Sequence, residues 1–260
     1  MEGVSMTKAS NSAFRDVEAH TWYASQGSPK VTGESIVENY LDLWENSQGK
    51  PVIRYESYYW MVQTKDFGAR ARCWMSLLSG TAGCGYGAQG GWYYNGSYEA
   101  NREENDGVDI ITVDEKAAHK TDWKGALAAE SSKQVTYIRN FFENKVGDWY
   151  NLVPRFEDTE YFTPDTGAYG VIASNEDNSK VVVYFYNFSD ATLAQKPNSP
   201  NAGTKTGTLG KLEANGNYKY IWYSPLTGKV TDHGNFTATK DGTWQIPEKA
   251  TSDMVLYVYR

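Results

Sequence analysis

Between residues 16 and 98 a carboxylate, an imidazole and many aromatic side chains fall at the ends of short strand-like runs. Glu56 closes the run Pro51-Val52-Ile53-Arg54-Tyr55-Glu56, and Tyr58, Tyr59 and Trp60 follow it. His20, Trp22 and Tyr23 end the run that starts at Asp16. Tyr86 lies in the glycine-rich stretch Gly80–Ala88, and a loop with Trp92, Tyr93, Tyr94 and Tyr98 follows it. Cleavage of a glycosidic bond asks for such a set: an oxocarbenium-like transition state needs a nearby anion as nucleophile or base, and rings hold the sugar by its C–H face. His20 or a tyrosine hydroxyl donating to Glu56 would keep that carboxylate ionised. Plainer roles stand beside these. Glu56 two residues after Arg54 can be one half of an ion pair, since alternation puts both on one strand face. His20 can be a hydrogen-bonded core residue, and Trp92 to Tyr98 can pack their own loop.

The elements that must carry these residues are legible from period. Asp16–Tyr23 predicts a strand. Ser35–Trp44 predicts a helix with Ile36, Tyr40, Leu43 and Trp44 on one face, closed by Gly49. Pro51–Glu56 predicts a second strand, and 66–78 a second helix. Gly80–Ala88 is small and β-compatible, and 132–143 predicts a helix with Val135, Ile138, Phe141 and Phe142 inward. Strand and helix alternation of this kind predicts a parallel sheet with crossover helices, and parallel α/β barrels set their chemistry at the C-terminal ends of the strands. Three β–α units are present.

After Pro154 the period changes to short strands, at 170–174, 181–186, 218–223, 235–239 and 254–259. Turn clusters such as Asn175–Ser179, Ala214–Asn217, Pro225–Gly228 and Lys240–Gly242 separate them. This predicts an antiparallel β-sandwich. The fold class is therefore α/β plus all-β, with an α/β domain over 1–152 and a β-domain over 153–260. Were the β-domain itself a carbohydrate- or protein-binding module, Trp222, Tyr223 and Trp244 would be its platform. Trp222 and Tyr223 are adjacent and must face opposite ways, which favours core packing instead.

Composition narrows the partners. The 260 residues carry 25 Lys and Arg against 32 Asp and Glu, a net charge of −7, with no basic run for nucleic acid or an anionic membrane. No apolar run approaches the roughly 20 residues that span a bilayer. The 20 Tyr and 9 Trp against 9 Phe suit half-wet surfaces, or strands. Met1–Met6 has neither the basic nor the apolar region of a signal peptide. Cys73 and Cys84 lie in no zinc spacing and are expected as free buried thiols; a bridge needs Cα atoms within about 7 Å. The acidic residues Asp106, Asp109, Asp114 and Glu115 do not match an EF-hand loop and read as solvated surface. No metal and no cofactor is expected.

The blocks Lys50–Tyr59 and Leu78–Trp92, "KPVIRYESYY" and "LSGTAGCGYGAQGGW", resemble the closing barrel strands of the apiosidase-like glycoside hydrolases, whose catalytic domain is a (β/α)8 barrel. Trp123–Leu127 and Trp149–Pro154 are similar to that family's run out of the barrel. The segments Trp222–Gly228 and Ser252–Leu256 are similar to the following β-domain, often labelled collagen-binding from a resemblance to collagenase modules. The resemblance implies that the chain is the last three β–α units of such a barrel followed by the β-domain, with an oligo- or polysaccharide as partner. It implies that Glu56 is one of two active-site carboxylates, with His20, Trp22, Tyr23, Tyr58, Tyr86 and Trp92 around the sugar. The family's other carboxylate comes from an earlier strand that these residues do not contain, and Asn175-Glu176 lies in a β-domain turn. The N-terminal part of the barrel is expected to be missing, the chain to be inactive alone, and the parent enzyme to be secreted or periplasmic.

Overall fold

The two hydrophobic periods become two kinds of sheet. The computed structural model describes residues 18–21, 33–56, 66–87, 123–156, 158–186, 206–249 and 253–260. In the first half β1 (Glu18–Thr21), α1 (Gly33–Glu45), β2 (Val52–Glu56), α2 (Asp66–Leu78) and β3 (Thr81–Cys84) alternate, followed by helices α3 (Trp123–Ala128) and α4 (Glu130–Phe141). The three strands pair in parallel in the order β1-β2-β3. This matches the expected parallel sheet with crossover helices. Among the described residues no helix is long and apolar enough to cross a membrane.

Local chemistry sets the helix ends. Helix α1 buries Val37 and Tyr40 one turn apart, and its chain reverses at Gln48 and Gly49, both at positive φ. Gly80, which follows α2 at φ 94°, is required twice over: its backbone is left-handed, and a Cβ there would collide with the Trp44 ring. Helix α4 widens after Phe141 into a π-turn, Phe142–Val146, that ends at Gly147. The wider turn lets the neighbours Phe141 and Phe142 both bury, at 0% and 6% exposure.

The second half is antiparallel, as expected. A six-stranded sheet runs in the order β10-β9-β12-β7-β6-β4, made of β4 (Val153–Pro154), β6 (Tyr169–Ser174), β7 (Lys180–Tyr186), β9 (Asn217–Ser224), β10 (Lys229–Thr237) and β12 (Asp253–Tyr259). A second sheet, β11-β8-β5, joins β5 (Phe162–Pro164), β8 (Gly207–Leu209) and β11 (Trp244–Gln245). These three short strands lack a run long enough to predict. Strand β10 also starts earlier than the periodicity over 235–239 implied, because its first residues pair with β9 while facing solvent.

Strands β7 and β12 are buried on both faces, so they read as continuous apolar runs. Val181, Val183, Phe185, Met254, Leu256 and Val258 face the β5–β8 side and form one core with Phe162, Leu209 and Trp222. Val182, Tyr184, Tyr186, Val255 and Tyr257 face the other way, onto α2 and α4, and share a core with Trp74, Met75, Ile138, Phe141 and Phe142. Trp74 is its centre: it stacks on Tyr184 with centroids 5.8 Å apart and meets Phe141 edge-on at 5.2 Å.

Inside that apolar layer the described residues include a buried ion pair. Arg70 of α2, 1% exposed, grips Asp253 of β12 in a two-pronged contact, Nε to Oδ2 at 3.0 Å and Nη2 to Oδ1 at 2.8 Å. Its Nη1 donates to Gln134 Oε1 of α4 at 2.9 Å, and the Tyr184 hydroxyl donates to Asp253 Oδ2 at 3.0 Å. Burial, with the Asp253 carboxylate second, pushes the Tyr184 hydroxyl well above the usual phenol range, so it stays a donor. Removing one partner strands a buried charge. Asp253→Ala is expected to lower unfolding stability by about 3–5 kcal/mol in urea titrations followed by tryptophan fluorescence. A loss below about 1 kcal/mol, the scale of an exposed pair, would show that the pair is not sealed from water.

Candidate active site

The C-terminal ends of β1, β2 and β3 lie side by side, because parallel neighbours run in one direction about 4.8 Å apart. On the middle strand, Glu56 is the last residue. Its ladder partner on β1 is Thr21, and His20 pairs with Arg54. The residues carrying the candidate carboxylate and the candidate imidazole are thus backbone neighbours at one end of one sheet. The ladder also slips between His20 and Thr21, so that Tyr55 has no partner on β1. An extra residue of this kind interrupts strict alternation.

Strand β3 brings the third member. Cys84 pairs with Arg54, and the Gly85 N–H donates to the Arg54 carbonyl at 2.6 Å, which turns the chain into Tyr86. The half-buried Tyr86 has its hydroxyl 2.7 Å from Ser131 Oγ, in the first turn of α4. Ser131 is itself fully buried. The sequence held no periodic signal for that contact, since Ser131 opens a helix 45 positions after Tyr86. Trp22, Tyr23, Tyr58 and Trp92 lie outside the described residues, as does the acidic stretch from Asp106 to Glu115.

Behind the strand ends the cysteines depart from expectation. Cys73 of α2 and Cys84 of β3 are not free thiols: they form a disulfide with Cα atoms 5.5 Å apart. A helix followed after the short turn at Ser79-Gly80 by a returning strand brings residues on either side of the turn opposite one another. That geometry, rather than the spacing in sequence, pairs them. Arg54 lies against the bridge, with Nη1 3.3 Å from Cys84 Sγ. Burial pushes the Arg54 guanidinium below its ordinary value, an effect that the Tyr40 hydroxyl opposes. The same burial raises Tyr40.

Trp222 and Tyr223, the neighbours weighed as a sugar platform, are buried on opposite faces of β9, Trp222 in the core against β5 and β8 and Tyr223 in the core against α4. The Tyr223 hydroxyl donates to the Tyr137 carbonyl of α4 at 2.9 Å, and burial pushes it up to about 12. Trp244 remains half-buried, stacked on Phe236 with centroids 3.8 Å apart. Among the described residues no group of three or more His, Cys, Asp and Glu is placed to hold a metal ion.

The family model of the apiosidase-like catalytic domain matches residues 5–148, more than half of the chain. The chain belongs to the apiosidase-like family. The matched stretch contains Glu56 and the residues expected around it, from His20 to Trp92. Solved structures agree at the level of fold. A glycoside hydrolase family 5 crystal structure from Bacteroides vulgatus is similar at 16% identity and a TM-score of 0.65, over 96% of this chain and 51% of that one. A second structure, described as a glycoside hydrolase, is similar at 18% identity and a TM-score of 0.59, over 96% and 53%. The chain thus spans about half the length of the structures it matches, and no curated protein matches it. The fold of this apiosidase-like chain is glycoside-hydrolase-like.

The Tyr86–Ser131 contact ties the end of β3 to α4, and through α4 to the second half. Tyr86→Phe keeps the ring and removes the hydroxyl. It is expected to cost about 0.5–1.5 kcal/mol of unfolding stability. Ser131→Ala should cost a similar amount, and the double variant no more than the larger single loss, when all three are compared by chemical denaturation.

Proposed function

We propose that this chain is the C-terminal part of a glycoside hydrolase that acts on plant or other complex polysaccharides, with Glu56 as one of its two active-site carboxylates. The observation that carries the reading is the convergence of strand ends within a family-matched segment. Glu56 closes the middle strand, His20 lies one step back on the neighbouring ladder, and Tyr86 follows the third. In this reading the parallel strands are the last three of a (β/α)8 barrel, and the antiparallel half, from residue 153 on, is a β-sandwich that buttresses it. The three parallel strands among the described residues do not close a barrel that needs eight, and in this reading the remaining strands and the second carboxylate belong to a longer protein. The half-length coverage of the matched structures supports that division.

The chemistry assigned to Glu56 follows from its position. A carboxylate at the mouth of a barrel meets the anomeric carbon from one face of the sugar, as nucleophile or as base to a water. The partner carboxyl protonates the departing oxygen. Trp22, Tyr23, Tyr58, Tyr86 and Trp92 would hold the sugar by stacking, and His20 would donate to the carboxylate and keep it charged. No metal or cofactor has a part in this scheme. The disulfide supports a parent enzyme that folds in an oxidising compartment, secreted or periplasmic.

The test is release of reducing sugar from plant polysaccharides by the protein expressed with the strands that complete its barrel. Glu56→Gln should lower turnover by about 10²–10⁴-fold or more while the unfolding temperature stays within a few degrees, since the change removes a charge and little volume. The 260-residue chain alone should give no turnover. Activity retained by Glu56→Gln would remove the assignment.

A further inference from the structure

Arg54 touches more of the candidate site's scaffold than any function assigned so far requires. Its guanidinium sits within the sheet-helix layer at 3% exposure. Nη1 lies 3.3 Å from Cys84 Sγ on β3 and 3.8 Å from Cys73 Sγ on α2, so it spans both halves of the disulfide. The charge also lies within electrostatic reach of the Tyr40 hydroxyl of α1. Its carbonyl holds the Gly85 N–H, the last fixed point before Tyr86. Across the ladder it faces His20, and it stands immediately before the unpaired Tyr55 and two residues before Glu56. One residue therefore joins α1, α2, β3 and the turn into Tyr86. A buried guanidinium against sulfur, a weak acceptor, is a poor way to gain stability; an apolar side chain of similar volume would fill the place at lower cost.

We propose that Arg54 and the Cys73–Cys84 disulfide act as one positioning unit that fixes the strand ends bearing Glu56 and Tyr86. The proposal rests on the reading of Glu56 as an active-site carboxylate. Each part removes a different motion. The bridge ties β3 to α2, so the start of the Gly85–Tyr86 turn cannot lift from the helix layer. The planar guanidinium, set against both sulfurs, keeps β2 from sliding past α2 and β3. The bulge at Tyr55 interrupts the ladder just past Arg54, so the positions of the residues beyond it depend on what holds the strand before it. A lysine keeps the charge and a donor but loses the fork; a methionine keeps most of the volume and loses both.

The test compares wild type, Arg54→Lys, Arg54→Met, the Cys73→Ser/Cys84→Ser double variant and Glu56→Gln in the full-length protein. The probes are 4-nitrophenyl glycosides for kcat and KM, amide hydrogen exchange over residues 81–87, and thermal unfolding. Arg54→Met and the double serine variant are expected to lower kcat by about ten- to a hundredfold with KM within about twofold, the pattern of displaced reacting groups rather than lost binding. Both should lose exchange protection at 81–87 while β7 and β12 keep theirs, and Arg54→Lys should recover part of the lost kcat. An unchanged kcat in the folded variants would overturn the proposal, as would protection lost uniformly from both halves. Should Arg54→Met fail to fold, a dithiol such as dithiothreitol supplies the second arm. It reduces the bridge to two thiols on Cys73 and Cys84 and leaves as its own cyclic disulfide. Thiol counting verifies the reaction, and kcat and exchange unaltered after it would overturn the proposal. Turnover retained by Glu56→Gln would instead remove the reading of the site. Exchange at 81–87 then decides the positioning unit by itself, as it does if no aryl glycoside is cleaved.

Discussion

The pairing of Arg70 with Asp253 is the contact on which the architecture turns. It lies in an apolar layer between helices of the first half and a strand of the second, with Gln134 and Tyr184 satisfying further groups of the pair. Two charges at that depth are tolerated only with near-ideal geometry. Such geometry is available in one relative placement of α2, α4 and β12. The surrounding apolar side chains supply the area that drives association, but they do not discriminate well between neighbouring registers. The ion pair does, because a shift of one residue would leave a carboxylate or a guanidinium buried alone.

That constraint reaches the candidate site through α2. The helix is buried nearly all round, with β3 on one side and β6 and β7 on the other. Its N-terminal half is held by Asp253, its middle by the aromatic cluster around Trp74, and its Cys73 by the bridge to β3. The strand ends with Glu56 and Tyr86 therefore rest on a helix whose position the antiparallel half sets. Tyr86 adds a second route, through Ser131 and α4. The second half is thus continuous with the core of the first rather than an appendage joined to it, and Tyr223 and Trp222 serve that core, one from each face of β9.

Much of this was legible in the residues. The helix over 66–78 and the apolar strands 181–186 and 254–259 are long and strongly patterned, so period alone located them. Glu56 could be placed at a strand end because Pro51 opens a short β-branched run that stops there. Other features left no periodic trace. Arg70 and Arg72, two positions apart and so on different sides of α2, are both buried, because elements pack against more than one side of that helix. Strands β5, β8 and β11 are two or three residues long, too short for alternation to register. The slip at Tyr55 is equally silent, since a bulge is a relation between two strands and neither carries it alone.

The amino-acid sequence by itself determined the class of each half, the order of the long elements and which residues stand as candidates at the strand ends. It could do so because hydrophobic period and turn chemistry are local quantities, written within a few consecutive residues. The tertiary structure decided which polar groups meet. Cys73 with Cys84, Arg70 with Asp253, Tyr86 with Ser131 and Arg54 with Cys84 are pairs whose partners are set by how sheets and helices stack. Such pairs depend on distances of a few ångströms across elements, and no periodicity along one chain segment encodes them.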